Sequence, residues 1–492
     1  MRPHIRYMVL TAMGAAAISA QTATDPLSYS INTPKPISPA EGTTTPSAQA
    51  TQRQNPYLGS VPAPNTGTRL ELSLRDAVAR GLRFNLGLIE SSRASADVRA
   101  DRLRALSALL PQVSAEGRQA YEDLSYKEIG LNLPPIPGVG PIPPTSGGFG
   151  YQDARISFSQ PLFSQELRQR YRARKDEERA SALRVQDARD VVILAVGTAY
   201  FEAVASAARV ETAKAQLATA REFDQLAASR VGSEVSPEID ALRARVERQS
   251  AEQRLTNSAN QLEKDRLTLA RITGLAIDQE FELTDRPRIV PTLQLTLKNA
   301  TDDALHERAD LASAEAAVHA AEASLEAAKA QRLPVVSLDA DYGAGGVNFG
   351  NANQVYSIAA NISLPVYTGG RIAADIAQAR SDLERRRAEY ADLRGRIAYD
   401  VRVAWLDVNA SASSVKVADS NRALAARALV QSRDRYANGV TNYLEVVEAL
   451  QALAAANEND IQSLYSLNVS VISLARAIGG AETALPQLLG GK

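Results

Sequence analysis

Two hydrophobic periods alternate along the chain. Between about residues 165 and 231, small and apolar side chains recur in steps of four and three at Val192, Val196, Ala199, Ala203, Ser206, Val210, Ala213, Leu217 and Ala220. That is the spacing of a heptad seam on a helix. The same steps return at Ile397, Val401, Ala404, Val408, Ser411, Val415, Ala418, Arg422 and Ala425, with Arg422 the one clear break. Ala and Ser prevail, so neighbouring helices can approach closely. No proline interrupts Gln165 to Val231, and a helix of that length runs about 100 Å. A lone helix this long buries almost nothing and must pack against others.

The second period is two. It covers Val113 to Tyr121, Tyr151 to Phe163, Val336 to Tyr342 and Tyr356 to Leu364, with a Pro/Gly-rich loop (LPPIPGVGPIPP) inside the first pair. In the last segment Tyr356, Ile358, Ala360, Ile362 and Leu364 share one face, and Ser357, Asn361 and Ser363 the other. A strand between lipid and an aqueous lumen requires such faces; a soluble hairpin resting one face on a core shows the same alternation. Aromatics gather near the strand ends (Tyr121, Tyr126, Phe149, Tyr151, Phe163, Tyr342, Phe349, Tyr356, Tyr367), as in interfacial girdles or in exposed loops.

The halves of the chain match. Val196 answers Val401, Arg230 with Val235-Ser236 answers Arg435 with Val440-Thr441, and Ala270 to Gly274 answers Ala475 to Gly479, all at an offset of 205. Leu110-Pro111 answers Leu333-Pro334 at 223, and Ser159 to Phe163 answers Ser363 to Tyr367 at 204, so the first hairpin carries 19 extra residues. Proline suits the bend where helix becomes strand. The expected organisation is a signal peptide over 1–20 and a Pro/Thr-rich strap or linker over 21–67. A first repeat follows over 68–275, with its hairpin at about 112–163 and long helices at about 165–274. After a connector or equatorial segment over 276–301, a second repeat spans 302–482, with its hairpin at about 335–367 and long helices at about 370–478. A tail covers 483–492.

Composition narrows the chemistry. The 492 residues hold 55 Lys+Arg against 56 Asp+Glu, a net charge of -1 that disfavours a nucleic-acid partner. Without cysteine there is no thiol nucleophile, disulfide, Cys-ligated metal or acylated lipid anchor. The only histidines, His4, His306 and His319, form no HExxH or comparable pattern. Neither an enzyme nor a cofactor or metal site is expected, and Gly343-Ala-Gly345-Gly346 lacks the spacing of a dinucleotide fingerprint. The longest strongly apolar run, Val191 to Phe201, is short of the roughly 18–20 residues of a helical membrane span. A β-barrel needs only about 10 alternating residues per strand. Arg2 and Arg6, the apolar Tyr7 to Ile18 and the small Ser19-Ala20 exit read as a secretory signal, with an amphipathic first helix as the alternative. Export of a long cysteine-free chain points to a bacterial envelope.

Four strands cannot close a membrane barrel, whose minimum is about eight, and lipid tolerates no open edge. Strands must therefore be pooled between chains; three chains would supply twelve. The order of helix, hairpin and long helix resembles the TolC family of outer-membrane efflux and secretion ducts over about residues 68 to 482. The motifs that carry this are Leu72-Ser73-Leu74-Arg75-Asp76-Ala77 with Asn85, Pro365-Val366-Tyr367-Thr368-Gly369-Gly370-Arg371, and Arg435-Tyr436-Ala437-Asn438-Gly439-Val440. The resemblance implies a mixed α and β fold of two tandem repeats. It further implies a homotrimer whose 12-stranded transmembrane β-barrel, set in outer-membrane lipid, continues into a periplasmic α-helical barrel. The implied partners are a periplasmic adaptor and an inner-membrane pump or secretion ATPase.

The resemblance also marks the turns at Val231 to Asp240 and Tyr436 to Glu448 as the periplasmic entrance. Glu445 and Glu448 match its acidic rings, and three-residue spacing puts both on one helix face; the alternative is a solvated face. Asp240 and Tyr436 match a gate link, and Thr441 stands where an arginine completes that link in the family's best-known pattern. Gly232 and Gly439 suit the tight turns, and with Val235, Ser236, Val440 and Thr441 they are the expected adaptor contacts. Arg168, Arg170, Arg172, Arg174 and Lys175 either meet anionic headgroups or form a solvated helix start. A periplasmic or secreted coiled-coil structural protein would explain the heptads but not the amphipathic hairpins.

Overall fold

A computed structural model describes residues 55–65, 67–127, 130, 143–234, 236–285 and 296–482. The expected signal peptide, the strap up to residue 54, connector residues 286–295, Val235 and the tail at 483–492 lie outside the described residues. The described elements belong to one unit, Gln49–Lys492.

Side-chain caps start most of the helices. Ser73 accepts from the Asp76 amide to open α1 (Leu74–Phe84), and Asn85 accepts from the Gly87 amide to open α2 (Leu86–Ser107). Ser164 opens α3 (Gln165–Gly232), 68 residues long, and Pro237 precedes α4 (Glu238–Thr273). The second half repeats the order: Thr296 caps α5 (Leu297–Glu307), α6 spans Ala309–Ala330, α7 Arg371–Ala437, and Asn442 caps α8 (Tyr443–Ile478). Gly274 ends α4 at φ 71, and a Cβ there would lie 2.5 Å from that of Phe84, so both backbone and space demand glycine.

Four strands, β2 (Gln112–Glu122), β3 (Phe149–Phe163), β5 (Val335–Gly346) and β6 (Asn353–Ser363), form one antiparallel sheet in the order β2-β3-β5-β6. Two short parallel strands, β1 (Leu70–Leu72) and β4 (Phe281–Leu283), tie the start of the first repeat to the connector. The register separates the large sheet into two unlike faces. Ala115, Ile156, Tyr342 and Tyr356 align across it, as do Val113, Phe158, Ala340 and Ile358. This face carries no charge, yet Ile156, Ile358 and Ile362 are 56%, 74% and 75% exposed. Glu116, Arg118, Glu122, Asp153, Arg155, Asp339 and Asp341, every charged residue in the four strands, lie on the other face. There Ser159, Ser337 and Asn361 donate to the Asp339 carboxylate at 2.6, 3.0 and 2.7 Å. A bulge between Pro161 and Phe163 sets Phe163 opposite Val336, on the uncharged face.

The helices pack along the expected seam. Val192, Val196, Ala203, Ser206, Val210, Ala213, Leu217 and Ala220 are buried on α3; Ile397, Val401, Ala404, Val408, Val415 and Ala418 are buried on α7. Arg422, the break in the pattern, stays exposed and pairs with Asp419 and Asp460 at 2.7 and 3.0 Å. Tyr200 corrects the seam: it is fully buried where Ala199 is only half-buried, and its hydroxyl donates to Leu72 O (3.1 Å) and Asp285 Oδ2 (2.8 Å). The hydropathy expectation is corrected too. An 18-residue window in α3 reaches a mean hydropathy of 1.8, enough by length and composition for a span. However, 56% of that window is buried inside the chain, so other helices already cover much of this apolar surface.

The described end of the strap is fastened to the body. Asn85 Nδ2 donates to Tyr57 O (2.7 Å), Leu86 N to Gly59 O (3.0 Å), Val61 N to Phe84 O (2.9 Å) and Ala63 N to Gly274 O (2.9 Å). Beside it lies a belt of enclosed charges. Arg308, 8% exposed, grips Asp310 with two bonds of 3.0 and 2.6 Å and reaches Asp400 at 3.4 Å. Asp190 accepts from Ala481 N at 3.1 Å, and Asp187 lies 3.9 Å from Arg476. Burial pushes both carboxyls above the usual range; Asp310 adds to this at Asp187, and Asp187 adds to it at Asp190, while Arg476 opposes it at both. A raised carboxyl pKa makes the folded chain bind a proton that the unfolded chain releases, so this contribution lowers stability as pH rises above the ordinary carboxylate range. Asp190→Asn keeps an acceptor for Ala481 N. It should raise the melting temperature at pH 7, with the gain shrinking towards pH 4; thermal melts across that range that show a pH-independent difference would refute the assignment.

Candidate gate at the helical tips

Both helix pairs turn at the end remote in sequence from the strands. In the second pair, Asn438 N bonds to Asp434 O (3.1 Å) and Val440 N to Arg435 O (2.9 Å), and Gly439 takes φ 70 between them. In the first pair, the glycine expected to make the turn does not make it. Gly232 is the last residue of α3, and the left-handed position belongs to Glu234 at φ 56, the residue that the 205-residue offset aligns with Gly439. Outside glycine this conformation costs about 1–2 kcal/mol.

Aromatic packing joins the two turns. Phe223, Tyr443 and Tyr436 contact in series with ring centres 6.1 and 5.5 Å apart, both edge-on, with Ala227, Ala244 and Val446 completing the cluster. Burial pushes both tyrosine phenols up. Next to this cluster a cleft of about 560 Å³ is lined by Ser236, Asp240, Tyr436, Gly439, Val440 and Thr441, together with Arg230, Pro237, Ile239, Arg243 and Asn442. Six residues named from the sequence, Ser236, Asp240, Tyr436, Gly439, Val440 and Thr441, therefore share one cleft, whereas Glu445 and Glu448 do not line it. Gly232 stands outside its lining, Val235 is outside the described residues, and Val440 is 67% exposed.

The bonds differ from those expected. Asp240 and Tyr436 are buried, 4% and 1% exposed, but make no hydrogen bond to each other. The Tyr436 hydroxyl has no hydrogen-bond partner among the described residues, and the nearest cation to Asp240 is Arg243 at 3.9 Å. The bridge between turns is Arg230. Its Nη1 donates to Tyr436 O (2.7 Å) and Ala437 O (3.0 Å), its Nε donates to Ser236 Oγ (3.2 Å), and its guanidinium lies 4.8 Å from the Tyr436 ring centre. It thus satisfies carbonyls that the end of α7 leaves open and adds a cation–π contact. The repeat alignment paired Arg230 with Arg435 and gave no reason to expect this bridge, because the bond crosses 206 residues.

Glu445 is half-buried, held by Thr441 Oγ1 at 2.5 Å and Arg435 Nε at 3.4 Å. Glu448, on the same helix face, is exposed and makes no ion pair among the described residues. No group of three or more His, Asp or Glu that could hold a metal occurs among the described residues.

A sequence model of the outer membrane efflux protein family matches residues 86–275 and 300–480. The chain is 25% identical over 325 residues to the pyoverdine export outer membrane protein OpmQ of Pseudomonas putida, covering 61% of this chain and 66% of that protein, just short of two thirds. It is 25% identical over 349 residues to the outer membrane protein TolC of Vibrio cholerae, covering 66% and 76%. Its fold matches a crystal structure of CusC with a TM-score of 0.72 at 17% identity, over 85% of this chain and 97% of that one. The family match runs through both repeats: the chain belongs to the outer membrane efflux protein family and is a protein of the outer membrane.

Proposed function

We propose that three copies of this chain form a passive exit duct. Its 12-stranded barrel crosses the outer membrane, and its helical barrel crosses the periplasm to meet an adaptor and an inner-membrane pump or secretion ATPase. The observation that carries this reading is the sheet's division of charge. All seven charged strand residues are on one face, and exposed isoleucines and tyrosines without a single charge are on the other. A soluble protein gains nothing from leaving that face bare, whereas lipid outside and water inside call for it. Purified protein should add stable ionic conductance to a planar bilayer; protein that folds but never conducts would sink the duct.

The helical tips are proposed as the gate. Glu445 and Glu448, repeated about a three-fold axis, would make two anionic rings at a narrow entrance that favour cations. Asp240, Tyr436 and Thr441 are the proposed lock residues, Tyr436 through the ring and carbonyl that Arg230 engages rather than through its hydroxyl, with Arg230 as the clamp between the two turns of each chain. Gly232, Val235, Ser236, Gly439 and Val440 are the proposed adaptor contacts.

Two outcomes follow from this geometry. Replacing both Glu445 and Glu448 by alanine should shift the reversal potential in a salt gradient towards zero and weaken block by divalent cations, and an unaltered potential and block would remove the rings from the account. Arg230→Ala deletes bonds from a charged donor worth about 1.5–3 kcal/mol each, so it should favour the open entrance by about tenfold or more. Tyr436→Phe, which removes a hydroxyl without a partner, should leave conductance unchanged. Single-channel recordings in which Tyr436→Phe opens the pore and Arg230→Ala does not would reverse this assignment.

A further inference from the structure

We propose that the start of α3 is a binding stripe for the headgroups of anionic glycerophospholipids at the periplasmic boundary of the bilayer, built from Arg168, Arg172, Lys175 and Arg179. The proposal rests on the reading of the sheet as membrane-embedded. Steps of four, three and four residues put these cations on one helix face. All four are exposed, and none forms an ion pair among the described residues. Their neighbours are engaged: Arg170 with Glu166 and Arg174 with Glu177, each at 2.6 Å, and Arg102 with Glu178 at 2.5 Å. Among the carboxylates of α3 itself between Glu166 and Arg179, only the half-buried Asp176 has no ion pair, so this stretch of helix carries four unpaired cations against one unpaired anion.

The bulge in β3 tells which side the stripe faces. It returns Phe163 to the uncharged face of the sheet, opposite Val336, and the Arg168 guanidinium lies 5.6 Å from the Phe163 ring centre. The stripe therefore begins where the lipid-facing surface ends and runs along α3 away from it. Leu162 and Phe163, 50% and 39% exposed, supply the apolar edge. Arg168 and Arg172 are about 6 Å apart along the axis, within a headgroup layer roughly 5–8 Å thick. Lys175 and Arg179 extend the positive field over about a Debye length beyond it. Helix formation does not demand these cations, because the 205-residue offset carries the four positions to Ala373, Ala377, Arg380 and Glu384 on α7. Guanidinium groups match phosphate oxygens in bidentate geometry. The net positive field favours phosphatidylglycerol over phosphatidylethanolamine, whose ammonium it repels.

Native mass spectrometry of the full-length assembly, titrated with each lipid, tests the stripe. Wild type should retain phosphatidylglycerol over phosphatidylethanolamine by about tenfold. The preference should vanish in R168Q/R172Q/K175Q/R179Q and persist in R170Q/R174Q, and free glycerol phosphate should not compete. Should the quadruple variant fail to assemble, R172Q/K175Q must still reduce the preference. Equal retention of the two lipids by wild type, an unchanged preference in the variants, or displacement by free glycerol phosphate would each overturn the proposal. Conductance measured on the same preparations keeps the two readings apart. A conducting channel without lipid preference loses only the stripe, and wild type that does not conduct loses the duct.

Discussion

Backbone N–H and C=O groups find no water in hydrocarbon, so every strand in a bilayer must be paired on both sides. In this chain β3 and β5 are paired on both sides, while β2 and β6 each leave one edge without a partner among the described residues. The rest of the architecture follows from that demand. In the proposed duct the sheet closes through other chains, its uncharged face meets lipid, and its seven charged residues line water. Chains that come together about one axis to satisfy the strands would, in the same proposal, gather the helices that continue from β3 and β6 about that axis.

Those helices then face the opposite difficulty. Helices of 68 and 67 residues in water depend on lateral packing, and the seam of small and branched side chains supplies it. Its residues contribute to two central cores: one around Val192, Val196, Tyr200 and Ile472, the other around Ile397, Val401, Val471 and Leu474. The β1–β4 pair, the Tyr200–Asp285 bond and the strap through Tyr57 bind distant segments across the first of these. At the far end the aromatic cluster and Arg230 hold the two turns together. A small apolar cluster and a few polar contacts thus replace the long seam where a movable entrance is proposed.

The features readable in the sequence were those set by local periodicity. The heptad steps, the two strand faces and the 205-residue duplication each repeat often enough to rise above chance. What could not be read depended on pairing across long distances. Nothing local announces that β3 lies beside β5, or that Tyr200 fills the core beside Ala199, since its bonding partners Leu72 and Asp285 are 128 and 85 residues away. Glycine chemistry favours Gly232 at the first turn, yet the left-handed position falls on Glu234, where the geometry of the turn overrides residue preference. In the duplication Arg230 shows only as the counterpart of Arg435; its role depends on where α7 ends.

Closure between chains is the central claim, and the absence of native cysteine makes it directly measurable. Ser114→Cys on β2 can be combined in turn with Ser357→Cys, Ala359→Cys or Asn361→Cys on β6, all on the charged face. Within one chain these edges are three strand spacings apart, about 14 Å, beyond the roughly 7 Å that a disulfide spans. Oxidation in the outer membrane, followed by denaturing electrophoresis, should give covalent dimers and trimers for at least one pair and none for the single substitutions. Monomers alone from every pair, in protein that is folded and inserted, would contradict the shared barrel.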